Sequence, residues 1–162
     1  MINPSPEYSD KLGGAPHSKQ SLRLWLRLLS CSTVVEKRIR ARLEEECDIT
    51  LPRFDLLAAL DRHPLGLTMS ELSSSMMVSN GNVTGVVARL IEDKLVSRES
   101  KAHDRRFATI RLTAKGRHVF TKMAQLHEAW IDKMFSGLTD GQIESLMKLL
   151  GRLRSSVETE SG

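Results

Sequence analysis

Apolar side chains recur every three or four positions over most of the chain, which predicts a mainly helical protein. The first such stretch, residues 18–46, is apolar on more than one side, as in a helix that buries two surfaces. A second helix follows Pro52, a residue that fits the first turn of a helix. Two more follow Thr113 and Thr139, whose side chains are placed to cap them.

Two short helices separated by a turn are predicted between residues 68 and 92. Thr68 and Glu71 form a T-x-x-E capping box that starts the first of them. Residues 77–81 read Met-Val-Ser-Asn-Gly, which favours a turn, and Ser79 or Asn80 would cap the second helix. The apolar face of this second helix consists of Val83, Val86, Val87, Leu90 and Ile91. Its other face is small and polar, and the pair fits a helix-turn-helix and an ordinary helical hairpin equally well.

A two-stranded hairpin with a charged tip is predicted directly afterwards. Residues 95–98 and 107–112 alternate apolar with polar side chains, as strands do. Residues 101–106, Lys-Ala-His-Asp-Arg-Arg, form the predicted turn, and Leu67 is expected to add a short third strand. A hairpin after a helix-turn-helix makes a winged helix, whose basic tip reaches phosphates or a minor groove.

Charge supports a nucleic-acid partner through its distribution. The chain has a net charge of +4 and a pI of about 9.3. Residues 89–117 hold nine Lys and Arg against four Asp and Glu, an excess of five, so the remainder carries −1. A mixed solvated surface does not predict that concentration, whereas a DNA-binding hairpin does.

These residues resemble the MarR family of bacterial transcription regulators. The D-x-R wing, Asp104 to Arg106, followed by L-T-x-x-G at residues 112–116, is the most specific part of the resemblance. The other matching segments are Val78-Ser79, Asn82-Val83-Thr84, Arg89-Leu90 and residues 95–98. The resemblance covers roughly residues 20–156 and departs from many relatives at Gly85, where they place a long polar residue.

The resemblance implies a fold that is mainly α with a small β wing, a winged helix-turn-helix flanked by long dimerisation helices. We expect a flexible arm at residues 1–17, a dimerisation helix at 18–49, the DNA-binding lobe at 50–112 and C-terminal dimerisation helices at 113–157, in one MarR-type domain at 18–157. The partners would be double-stranded operator DNA and a second copy of the chain. The predicted DNA-binding residues are Ser79, Asn80, Asn82, Thr84, Arg89, Lys101, Asp104, Arg105 and Arg106. Among them Arg106 would enter the minor groove, held by Asp104.

A small-molecule site is also implied. Effectors of the family bind between the dimer helices and the DNA-reading lobe. The residues on those elements that fit such a site are Trp25, Leu29, Arg53, Phe54, Leu57, Met123 and Trp130. An aromatic-lined pocket with one cation suits an aromatic carboxylate, and relatives with a similar S-N-G-N-V-T-G turn suggest an aromatic acid or its CoA thioester. The alternative is that all seven are core residues, which is the better interpretation for Leu29 and Leu57.

The sequence also allows other functions. Cys31 would make the protein a redox-sensing regulator, although a mid-helix thiol is more often a small buried hydrophobe. A non-sensing architectural DNA-binding protein and a monomer with packed terminal helices are further alternatives. The five histidines lack metal-ligand spacing and no phosphate loop follows a strand, so we predict no enzyme, catalytic residue, metal or cofactor. With no membrane span or signal peptide, a cytoplasmic protein is expected.

Overall fold

The structure is a computed structural model that describes residues 16–76, 82–101 and 104–160, with the side chains of 16–18, 101 and 104–107 outside that description. The predicted arm at residues 1–17 lies outside it, except that its last two residues belong to the first helix. This helix begins at Pro16, two residues before the predicted start at residue 18, because proline at the start of a helix lacks only an N–H that has no partner there. The described elements, in order, are α1 Pro16–Cys47, α2 Leu51–Asp61, β1 Leu67–Thr68, α3 Met69–Ser75, α4 Val83–Glu92, β2 Val96–Lys101, β3 Asp104–Leu112, α5 Ala114–Phe135 and α6 Asp140–Thr159.

The helix starts follow local chemistry. Thr68 and Glu71 form the predicted capping box of α3, with both reciprocal bonds made. Thr139 and Gln142 do the same for α6. Thr113 accepts a bond from the backbone N–H of residue 116 and caps α5. These predictions are confirmed because each depends on residues three positions apart.

The three strands form one antiparallel sheet in the order β1-β3-β2. The expected short strand at Leu67 is confirmed, since Leu67 pairs with Ile110. The predicted charged turn at 101–106 is too long, because Lys101 pairs with Asp104 and the strands continue that far. Lys101 and residues 104–106 are therefore strand residues, and the register is irregular between Glu99 and Lys101.

The chain divides into two compact units, Met1–Arg38 and Ile39–Gly162. The described part of the first unit is the N-terminal portion of α1. In the second unit, α2 packs against α3, α4, α5 and β3. The fully buried side chains of this core are Leu43, Leu56, Leu57, Leu60, Leu72, Leu90 and Ile110.

Backbone packing fixes the start of α5 against the start of the wing. A Cβ atom on Gly116 would lie 1.9 Å from the carbonyl oxygen of Leu95, so only glycine fits there. Thr113 donates to that same oxygen from its backbone N–H, at 3.1 Å. Lys94, just before, adopts a left-handed conformation with φ of 61°, which is costly for a residue with a side chain.

Candidate nucleic-acid interface

The N-terminal end of α4 is organised by Asn82. The Oδ1 atom of Asn82 accepts a hydrogen bond from the backbone N–H of Gly85, at 2.9 Å. Asn82 is therefore the N-cap of α4, and the prediction that Ser79 or Asn80 caps it was wrong. Ser79 and Asn80 themselves lie outside the described residues. The sequence offered several cap-forming residues within four positions, and the path of the backbone decides among them.

The two faces of α4 differ as the sequence predicted. Val87 and Leu90 are buried, while Val83 and Val86 are half-buried. Ile91, expected on the same face, is exposed because it lies at its edge near the helix end. Asn82, Thr84, Gly85 and Arg89 are exposed.

Arg89 already has a protein partner. Its guanidinium donates to the carboxylate of Glu92 at 2.9 Å, and both side chains are largely exposed. A solvent-exposed pair of this kind is worth about 0–1 kcal/mol, so an exchange of Glu92 for a phosphate costs little.

The C-terminal end of α4 is tied to two other helices. Asp93, its C-cap residue, forms an ion pair with Arg53 of α2. Lys115 of α5 donates to the backbone carbonyl of Asp93 at 2.9 Å. Arg53 is mostly buried, with 19% of its side chain exposed. Its Nε is buried and has no hydrogen-bond partner among the described residues.

The base of the wing is held by Arg111, an arginine outside the predicted DNA-binding residues. The guanidinium of Arg111 donates to the carbonyl of Pro64, through Nε at 3.3 Å and Nη2 at 3.0 Å. Its Nη1 donates to Glu99 on the neighbouring strand at 3.0 Å. Arg111 is opposite Ser97 in the register, so Glu99 lies diagonally across from it, within reach of a long side chain. At the tip of the wing, the backbone lies on the strands at Lys101, Asp104, Arg105 and Arg106. The side chains of these four residues are outside the described part of the structure.

Helix α3 carries polar side chains beside α4. The backbone N–H of Thr68 donates to Glu71, and this bond, with that from the Thr68 hydroxyl, lowers the pKa of the Glu71 carboxyl. A shallow groove along α3 is lined by His63, Leu67, Ser70, Glu71, Ser74 and Ser75. The hydroxyl of Ser74 donates to the carbonyl of Ser70 within the helix.

The predicted effector residues of the second unit lie in or beside its core. Leu57 is fully buried, and Phe54, Met123 and Trp130 are nearly so. The ring of Phe54 lies 5.6 Å from that of Phe120 and 5.0 Å from that of His127. The guanidinium of Arg42 lies 5.7 Å from the Trp130 ring. Burial lowers the pKa of His127.

The predicted effector residues of the first unit are exposed within the single chain. Trp25 is 57% exposed and Leu29 is 46% exposed, so Leu29 is not a core residue of the chain on its own. Cys31 is also exposed, contrary to the expectation of a buried thiol. Cys47 is partly covered, and its burial, followed by the nearby Glu46 carboxylate, raises the pKa of its thiol.

The described residues include neither a metal-binding cluster nor a membrane-spanning helix. No group of three or more His, Cys, Asp and Glu side chains is arranged to hold a metal ion. No described helix combines the length and the apolar character needed to cross a membrane.

Comparison with known proteins identifies the fold. A family model described as the MarR family matches residues 48–106, which include α2, the helix-turn-helix and most of the wing. A solved structure of a MarR family transcriptional regulator from Silicibacter pomeroyi superposes with a TM-score of 0.73 at 29% identity, covering 91% of this chain and 99% of that one. This chain belongs to the MarR family. The described residues form six helices and a small three-stranded antiparallel wing, as in the MarR fold, and the family comprises transcription regulators and not enzymes.

Two curated transcription regulators match over a shorter range. The transcriptional activatory protein BadR of Rhodopseudomonas palustris is 32% identical over 105 residues, 64% of this chain and 59% of BadR. The HTH-type transcriptional repressor IacR of Pseudomonas putida is 27% identical over 118 residues, 73% of this chain and 70% of IacR. The match thus spans less than two thirds of the length of BadR.

Proposed function

We propose that this MarR-family protein binds a palindromic DNA operator as a homodimer and regulates transcription in response to a small molecule. The observation that carries the proposal is α4, whose apolar face is buried while Asn82, Thr84 and Arg89 are exposed beside a basic wing. A recognition helix needs a rigid core face and short polar side chains at its N-terminal end.

Each element of the lobe has a part in DNA binding under this proposal. Asn82 and Thr84 contact base edges in the major groove, together with Asn80. Arg89, Lys101 and Arg105 contact phosphates, and Arg89 does so in exchange for Glu92. Arg106 enters the minor groove, where the negative potential favours a guanidinium, with Asp104 holding it in position.

Helix α6 supports a second copy of the chain as the partner. None of its described residues, from Asp140 to Thr159, is buried within the single chain. Its large exposed side chains include Leu146, Met147, Leu149, Leu150 and Leu153. A 20-residue amphipathic helix gains most of its stability from packing its apolar face. A two-fold dimer would then place two α4 helices on half-sites about 10–10.5 base pairs apart.

Arg53 supports an anionic effector. It is a mostly buried cation whose present partner, Asp93, ends α4. An aromatic carboxylate, or the acyl-CoA thioester of one, would compete with Asp93 for this guanidinium. A ligand that binds better when the Arg53–Asp93 pair is open shifts the protein towards that state. Loss of the pair would free the C-terminal end of α4 and lower DNA affinity.

This coupling favours a repressor that leaves its operator when the effector binds. One of the two relatives is named an activatory protein and the other a repressor, so their names do not favour either direction of regulation. The argument for repression is the coupling between Arg53 and the end of α4. The test is a salt-controlled gel shift with aromatic carboxylates and their CoA thioesters. Release by one of them, absent in Arg53→Met, supports the proposal, and release that persists in that variant contradicts the role of Arg53.

Cysteine oxidation is the second candidate, and the exposure of Cys31 favours it. Under this alternative, peroxide releases DNA and Cys31→Ser abolishes the release, whereas aromatic acids have no effect. A non-sensing architectural protein would show neither response and little sequence preference. Release by an aromatic acid that survives Cys31→Ser excludes both alternatives.

A further inference from the structure

The side chain of Arg111 connects three segments of the chain at the base of the wing. Its Nη1 atom donates to the carboxylate of Glu99 on β2 at 3.0 Å. The Nε and Nη2 atoms of the same guanidinium donate to the carbonyl oxygen of Pro64 at 3.3 and 3.0 Å. Pro64 lies in the turn that leads from α2 to β1. Arg111, on β3, therefore ties both β2 and this turn to its own strand.

The turn that carries the Pro64 carbonyl also follows β3 closely along the backbone. The N–H of Gly66 donates to the carbonyl of His63 at 2.8 Å and closes the turn. Gly66 has a φ of 87°, which glycine adopts without strain. The next residue, Leu67, pairs with Ile110 of β3. The acceptor that Arg111 uses is thus attached to the sheet by the backbone as well.

The bonds of Arg111 lie where support from the third strand ends. Within the described residues, β1 contributes two pairs to the sheet, and the outer one joins Thr68 to Thr109. The partner of Thr109 on β2 is Glu99, and the register becomes irregular directly after Glu99. Such an irregularity bends a strand, and a hairpin of only two strands has little stability of its own. The direction in which the outer hairpin leaves the sheet is therefore set at Glu99.

We infer that Arg111 is a positioning residue that directs the wing towards DNA through its bonds to Glu99 and Pro64. This inference rests on the proposed operator binding, in which Arg106 near the wing tip enters the minor groove. Arginine suits the task because its planar guanidinium donates to two acceptors in fixed directions, which a lysine ammonium does not. Core packing does not explain the residue, since the Arg111 and Glu99 side chains are 37% and 56% exposed.

Two variants of Glu99 test the inference at equal charge. Glu99→Gln and Glu99→Met both remove one negative charge, which electrostatics alone expects to strengthen DNA binding by the same factor. Only glutamine keeps an oxygen that accepts from Arg111. Binding of the full chain is measured at fixed salt on an operator selected from a random duplex library. Glu99→Met should bind roughly five-fold more weakly than Glu99→Gln, and equal affinities overturn the inference.

A double-mutant cycle separates positioning from the other ways in which Arg111 could act. Arg111→Met alone should weaken operator binding by roughly five-fold. In an Arg106→Ala background the same change should cost less than about two-fold, because the contact that Arg111 positions is already absent. An equal factor in both backgrounds indicates a merely structural role or a phosphate contact by Arg111 itself. The phosphate contact would also reduce the salt slope by about 1. Either result overturns the inference while operator binding stands.

Arg117→Met is the matched control for Arg111→Met. It removes the same charge and an exposed ion pair, whose N–O distance to Asp61 is 3.9 Å. Its effect on affinity should be the same with and without Arg106→Ala. Affinities are compared where urea titration shows every variant folded, and the Glu99 pair decides the matter if Arg111→Met does not fold. An Arg106→Ala chain of unchanged affinity overturns the proposed role of the wing, and this inference with it.

Discussion

Gly116 is the position where a single added methyl group should do most damage. Its Cβ would lie 1.9 Å from the Leu95 oxygen, 2.8 Å from the Leu95 carbonyl carbon and 3.2 Å from its Cα. All three are backbone atoms, so no side-chain rotation relieves the clash. An ordinary contact begins at about 3.4 Å, which means that α5 and the start of the wing must separate by about 1.5 Å.

That separation has a cost that can be worked from the contacts. The Leu95 oxygen accepts from the Thr113 N–H at 3.1 Å and from the Thr113 hydroxyl at 3.2 Å, and both bonds would break. Two lost hydrogen bonds amount to about 2 kcal/mol. Overpacking adds about 1–3 kcal/mol. The better helix propensity of alanine returns up to about 1 kcal/mol. The net loss of unfolding free energy for Gly116→Ala is therefore about 2–4 kcal/mol.

Urea denaturation measures this loss directly. The fluorescence of buried Trp130 follows unfolding of the second unit, at equal protomer concentration because dimerisation contributes to stability. Gly141→Ala and Gly137→Ala are controls, since nothing lies within 4 Å of either added methyl group. A Gly116→Ala protein within about 0.5 kcal/mol of the unaltered chain, the usual range of harmless surface changes, would refute the reasoning about this contact.

Three other predictions follow from the structure and the proposal. Lys94→Gly should raise the unfolding free energy by about 1 kcal/mol, because glycine adopts its left-handed φ without strain; an equal or lower urea midpoint contradicts this. Burial lowers the pKa of His127 below its ordinary value of 6.5, so the unfolded chain binds a proton at a higher pH than the folded chain does. The contribution of neutral His127 to the free energy of unfolding is therefore fully present above pH 6.5 and is lost as the pH falls through the lowered pKa. That decline should disappear from calorimetric scans of His127→Gln, and an unchanged pH profile removes His127 as its cause. Arg106→Ala should weaken operator binding in a salt-controlled gel shift without changing the urea midpoint, and an unchanged affinity excludes the wing arginine from DNA binding.

Features that depend on neighbouring residues were predicted well from the sequence. The capping box of Thr68 and Glu71 needs only two residues on one helical turn, and it is formed as expected. Leu67 was recognised as a strand because it stands alone between a turn and a helix start. The family resemblance, based on the wing motif, is confirmed by the comparisons.

Features that depend on distant contacts were missed. The ion pair of Arg53 and Asp93 joins residues 40 positions apart, and no local pattern links them. The wing hairpin is longer than predicted because pairing of Lys101 with Asp104 overrides the polar, turn-like composition there. Asn82, and not one of its neighbours, is the cap because the path of the backbone decides which residue stands at the helix start, and composition does not contain that path. The side chains at the wing tip remain predictions.

The central claim is that two copies of α4 and the wing bind DNA by sequence. The most direct measurement is competition between the selected operator and a scrambled duplex for the purified full chain, at a fixed physiological salt concentration, with the mass of the complex determined in parallel. We predict one dimer per operator, on an inverted repeat, with a preference of at least about 10³ over the scrambled duplex. A monomer that binds both duplexes equally, or neither, would contradict the claim.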